Sequence, residues 1–143
     1  MKNDTIKLLK KCNSGAKTAL NTLELMLVHA GGLEFKSTLI DYISQHHNLI
    51  DESNSMLANA HESGKDPTKV ARFMARTTTE NRLKKDSSDS NISKMIIFGC
   101  DKGIEITFNY KKQFSRSNAD SQMFANKLVT LEQNLRQTLQ RYV

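Results

Sequence analysis

The segment GKDPTKVARFMARTTTENRLKKDSSDS, residues 64–90, decides how this chain folds. Gly64 reads as the end of a preceding helix. Asp66-Pro67 then reads as a helix start, an N-cap aspartate followed by a proline at the first helical position. Val70, Phe73 and Thr77 form the inner face of this short helix, and Lys69, Arg72 and Arg76 the opposite face. The pattern fades over Arg82–Lys85, and Asp86–Ser90 is a polar break that supplies capping residues for the next helix. Were Pro67–Phe114 one continuous helix, it would be roughly 70 Å long, about twice its partners. A helix of about 17 residues flanked by two loops can instead run back along a bundle about 35–40 Å long. Residues 64–90 are therefore read as a crossover, which sets the helix after it parallel to the helix before it.

Working outward, two helical hairpins flank the crossover. Helix one begins at Asp4 and carries Leu9, Cys12, Ala16, Ala19, Leu23, Met26 and Ala30 at alternating spacings of three and four, the seam of a helix bundle. Gly31-Gly32 ends it by adopting the left-handed conformation. Helix two, Leu33–Ser63, has the seam Leu39, Tyr42, His46, Leu49, Ser53, Met56 and Ala60, with a second stripe beside it. Helix three, Asn91–Phe114, reads Ile92, Ile96, Gly99, Gly103, Ile106 and Tyr110. Helix four, Ala119–Tyr142, shows Phe124, Leu128, Leu131, Leu135, Thr138 and Tyr142. Glycine in a helix interior costs roughly 1 kcal/mol relative to alanine. Gly99 and Gly103 are expected to repay that by close packing against Gly15, Ala16 and Ala19; room for a ligand is the other reading.

Composition agrees with an all-α single domain spanning 1–143. The chain has 143 residues, six glycines and one proline, too few turn residues for a sandwich or barrel. Cys12 and Cys100 stand 88 positions apart with no Cys-x-x-Cys motif, which suggests two buried thiols in a reducing compartment. Cys100 counts about 12 Å along the axis from Cys12, too far for a disulfide. No signal region or membrane span appears, so a cytoplasmic location without membrane insertion is expected. The net charge of +6 serves solubility, and nucleic acid is not an expected partner.

Taken together, Asp4–Leu9 with Gly15-Ala16, the histidine at 46 or 47, the run Ile97–Ile104 and Glu132 resemble the ferritin-like four-helix bundles, closest to small uncharacterised bacterial members. The resemblance implies two antiparallel hairpins joined by one long crossover carrying a short fifth helix. It implies a fold rather than an activity. Di-iron members place Glu-x-x-His on two helices, and this chain has no such motif. His29, His46, His47 and His61 all lie in the first two helices.

Counting from the turns brings His46 level with Glu132. A histidine in a seam needs a partner, and Glu132 is the best placed. The plain reading is a structural pair that fixes helix register. The sharper one is a metal site for iron, manganese or zinc, with His47, Glu24 or Glu105 joining it. His29 and His61 sit at helix C-termini, where a cation is favoured. No catalytic motif stands out. The expectation is a non-enzymatic structural, interaction or stress-related protein, homodimeric, with no cofactor; iron or manganese binding, with or without oxidoreductase chemistry, is the alternative. A third reading takes Lys69, Arg72 and Arg76 as contacts for an anionic partner, since residues 65–85 hold seven basic residues against Asp66 and Glu80.

Overall fold

The computed structural model describes residues 2–143. It is all-helical: α1 Lys2–His29, α2 Leu33–Asn59, α3 Lys69–Lys85, α4 Asp89–Gln113, α5 Ala119–Leu139, and a terminal 3-10 turn Gln140–Tyr142. Among the described residues there is no strand, and no helix is long and apolar enough to cross a membrane. Two apolar clusters run through α1, α2, α4 and α5, one around Phe35, Ile92 and Leu135 and one around Leu8, Leu57 and Phe124.

Two sets of hydrogen bonds set the helix directions. At one end the Asp89 carboxylate accepts from two successive amides of the α1–α2 turn, Gly31 N–H at 2.8 Å and Gly32 N–H at 2.9 Å. At the other end Asp4 and Thr5 accept from the Arg116 and Asn118 amides of the α4–α5 turn. Helix α4 therefore starts where α2 starts and runs parallel to it, antiparallel to α1.

Several local expectations need correction. Neither Gly31 nor Gly32 is left-handed; their lack of a side chain instead lets Asp89 come in, since a Cβ on Gly32 would stand 3.0 Å from its Oδ2. Helix α2 stops at Asn59 rather than Ser63. Its left-handed residue is His61 (φ 58), and the bonds His61 N–H to Ala58 O and Glu62 N–H to Leu57 O form a Schellman motif. Gly64 does not end a helix. A Cβ there would meet Asn54 Oδ1 at 2.5 Å and Asn13 Oδ1 at 2.7 Å, so this is where the chain needs glycine for close approach. Asn13, fully buried, donates to Ser53 Oγ and Asn54 Oδ1 and accepts from Lys65 N–H, pinning the start of the crossover. The N-cap of α3 is Thr68, not Asp66, which pairs with Lys17 at 2.8 Å.

The face assignment of α3 is also overturned. Val70, Phe73 and Thr77 are exposed, and only Leu83 of this helix is buried. The side turned to α1 carries Pro67, Ala71, Ala75 and Thr79, with Arg72 and Arg76 along the same cleft. These residues are small, Ala71 and Ala75 are themselves exposed, and a cleft of about 460 Å³ lies between this side of α3 and α1. Such side chains leave little apolar surface to hold α3 against α1.

Candidate functional site

The site begins with a rotation of α4. Both the expected seam and the real one start at Ile92 and Ile96, but the helix turns Cys100 and Thr107 inward, each buried. Gly99 and Ile106 face outward instead, and Gly103 and Tyr110 sit half-buried on the flank. The close-packing expectation for Gly15, Gly99 and Gly103 is thereby overturned. A Cβ on Gly15 or Gly99 would meet nothing within 4 Å, and one on Gly103 only Glu132 Oε2 at 3.9 Å. Ala16 is fully buried in the core, while Ala19 is half-buried at the edge. Where closely packed backbones were expected, α1 and α4 are separated by a groove of about 490 Å³, walled by Gly15, Ala19, Gly99 and Gly103 and floored by Leu128 and Glu132.

At the floor, the structure brings His46 and Glu132 together. His46 is 0% exposed and Glu132 6%. His46 Nε2 lies 2.9 Å from Glu132 Oε1, and His46 Nδ1 lies 2.6 Å from the Tyr42 carbonyl oxygen of its own helix. That carbonyl can only accept, so Nδ1 carries a hydrogen. The short Nε2···Oε1 distance then requires one further proton between the two groups, held as imidazolium with carboxylate or as imidazole with carboxylic acid. In either form Glu132 Oε2 remains an acceptor, and it lies at the groove wall.

Cys100 is the residue that sequence alone left out of this cluster. Its thiol, a weak donor, is pushed up by burial first and then by the adjacent Glu132 carboxylate and its hydrogen bond, with Asp101 adding and Arg136 opposing. Its place one residue past Gly99, four past Ile96, was the available signal. Cys12, also free and buried, is raised to about 12 by burial, against a lowering pull from Lys111.

The other proposed ligands do not join. His47 and Glu24 form an exposed pair at 3.7 Å, and Glu105 is exposed. Both ring nitrogens of His46 are engaged, and among the described residues no three His, Cys, Asp or Glu side chains are grouped to hold a metal ion. The residues present do not fit an iron or manganese centre. On α3, Lys69, Arg72 and Arg76 are exposed; Arg76 Nε donates to Glu80 Oε1 at 2.9 Å, and Lys17 holds the Asp66 carboxyl below its usual range, first by hydrogen bond and then by charge. Comparison with protein-family models, with curated proteins and with solved structures finds no match.

Proposed function

We propose that this chain is a non-enzymatic helical binding protein that holds a small, largely apolar molecule in the α1–α4 groove. We also propose kinship with the ferritin-like four-helix bundles, on the strength of two antiparallel hairpins joined by a long crossover. The observation that carries the binding reading is Glu132: a carboxylate 6% exposed, one oxygen held by His46, the other at the wall of an apolar groove of about 490 Å³. Ligand sites combine this kind of apolar concavity with a few placed polar groups. Gly15 and Gly99, helix-interior glycines where even a Cβ would meet nothing within 4 Å, carry a helix cost without a packing return. An open groove is what they supply.

The test is titration with 1-anilinonaphthalene-8-sulfonate against the native protein and Gly99→Leu. A side chain at 99 has open space to enter, so the variant should fold and fill the groove. Saturable fluorescence enhancement at one site in the native protein, lost in Gly99→Leu, is the expected outcome. Equal binding by both, or none by either, overturns the reading.

A further inference from the structure

The groove is chemically polarised along its length, and this narrows what it can hold. Its floor presents Glu132 Oε2, which faces Gly103 across 3.9 Å and, with the two lone pairs of a carboxyl oxygen, can accept from a ligand even with the Cys100 thiol bonded to the same carboxyl group. The His46–Glu132 unit already contains a proton and so is neutral overall. A cation is not needed to balance it, and Lys11, Lys65 and Lys102 line the same groove and would repel one. The lysines are partly held. Lys11 Nζ stands 5.4 Å over the Tyr110 ring, Lys102 Nζ stands 5.6 Å over Phe98, and the Lys65 amide is fixed on Asn13 Oδ1 at 2.9 Å. Tyr110 lies seven residues along α4 from Gly103, which faces Glu132, so the acceptor and the Lys11 end are about 10 Å apart.

We infer that the groove takes an elongated amphipathic anion with a hydroxyl at its apolar end. The hydroxyl donates to Glu132 Oε2, the apolar body lies along Gly99 and Gly103, and the anionic group meets Lys11 and Lys65. This inference rests on the groove being a ligand site and adds the class of ligand. A neutral donor satisfies the acceptor without introducing uncompensated charge at a buried position. The anionic end stays at the solvent-facing rim, where its charge costs little.

Three probes of matched shape test this by calorimetry and by amide NMR shifts at Gly99 and Gly103 of the full chain: 4′-hydroxybiphenyl-4-carboxylate, biphenyl-4-carboxylate and 4-hydroxybiphenyl. The hydroxy acid should bind at one site about ten-fold more tightly than either control, the ratio one net hydrogen bond or one partly screened ion pair supplies. In Glu132→Leu, and in His46→Leu/Glu132→Leu, which leaves neither member of the pair stranded, the hydroxy acid should fall to the affinity of biphenyl-4-carboxylate. Lys11→Gln/Lys65→Gln should weaken both acids and leave 4-hydroxybiphenyl unchanged. Equal affinities for all three probes, with shifts at Gly99 and Gly103, would overturn the ligand class and leave the groove as a binding site. No shift at those amides with any of these probes or with the naphthalene sulfonate would overturn both.

Discussion

Replacing His46 and Glu132, singly and together, tests the centre of this structure. Leu at position 46 strands a carboxylate that is 6% exposed. Breaking a buried pair in this way costs about 3–5 kcal/mol. The second oxygen of Glu132 reaches the groove, where water can solvate it, so the lower end, about 3 kcal/mol, applies. Leu at 132 strands His46 Nε2, a fully buried nitrogen, at about 1–3 kcal/mol. Neither loss arises in the double variant, where apolar side chains of similar size fill the layer, and its stability should lie within about 1 kcal/mol of the parent or above it. The single changes thus sum to about 4–6 kcal/mol, and the coupling should be at least about 3 kcal/mol. At about 3 °C per kcal/mol for a chain of this size, His46→Leu should melt about 10 °C early while the double variant melts near the parent. Urea melts by circular dichroism at pH 7, backed by thermal melts, measure this. Single costs that add to within about 0.5 kcal/mol would show that the two side chains act independently, and that no proton is shared between them.

Gly99→Ala and Gly15→Ala should each raise stability by about 1 kcal/mol, or about 3 °C, because neither new Cβ meets an atom within 4 Å; Gly64→Ala should do the reverse by about 1–3 kcal/mol, because its Cβ would fall 2.5 Å from Asn54 Oδ1 in a bonded network. A loss of melting temperature in Gly99→Ala would mean α1 closes on α4 in solution. His61→Gly should stabilise by about 1 kcal/mol in urea melts by relieving a left-handed non-glycine residue at φ 58; no gain would mean the α2 terminus is not held there. The Cys12 thiol is raised by burial to about 12, against about 8.5 when unfolded. Because the folded value is the higher one, its contribution is intact below about pH 8.5 and declines as pH rises toward 12, by about 1.4 kcal/mol per unit. Urea midpoints of the native chain and Cys12→Ala at pH 8, 9 and 10 should show that difference emerging, and parallel pH curves would contradict it.

Where the helices begin and end was legible from the residues to within a few positions, because apolar periodicity, capping residues and polar breaks act locally. So was the need of one polar side chain for another. His46 occupies a position where Leu or Ile would be expected, and counting residues from the turns along rods of fixed rise finds Glu132 opposite it. The seams read for α1, α2 and α5 lie largely in the core, but the rotation of α3 and α4 about their own axes came only from packing. Ile96-Gly99-Gly103 and Ile96-Cys100-Thr107 are both plausible inward faces, since glycine, cysteine and threonine are all small and none strongly commands burial. One residue of difference is about 100° of rotation, and it turns a closed glycine contact into a groove with a carboxylate at its floor. The same ambiguity reversed α3, where Val70 and Phe73 were too few to fix the face and the side bearing Ala71 and Ala75 borders the cleft beside α1 instead. The left-handed turn at His61 was equally beyond local reading, since histidine tolerates that conformation better than most residues but does not command it as glycine does, and the closing bonds to Ala58 and Leu57 are seen only in the structure.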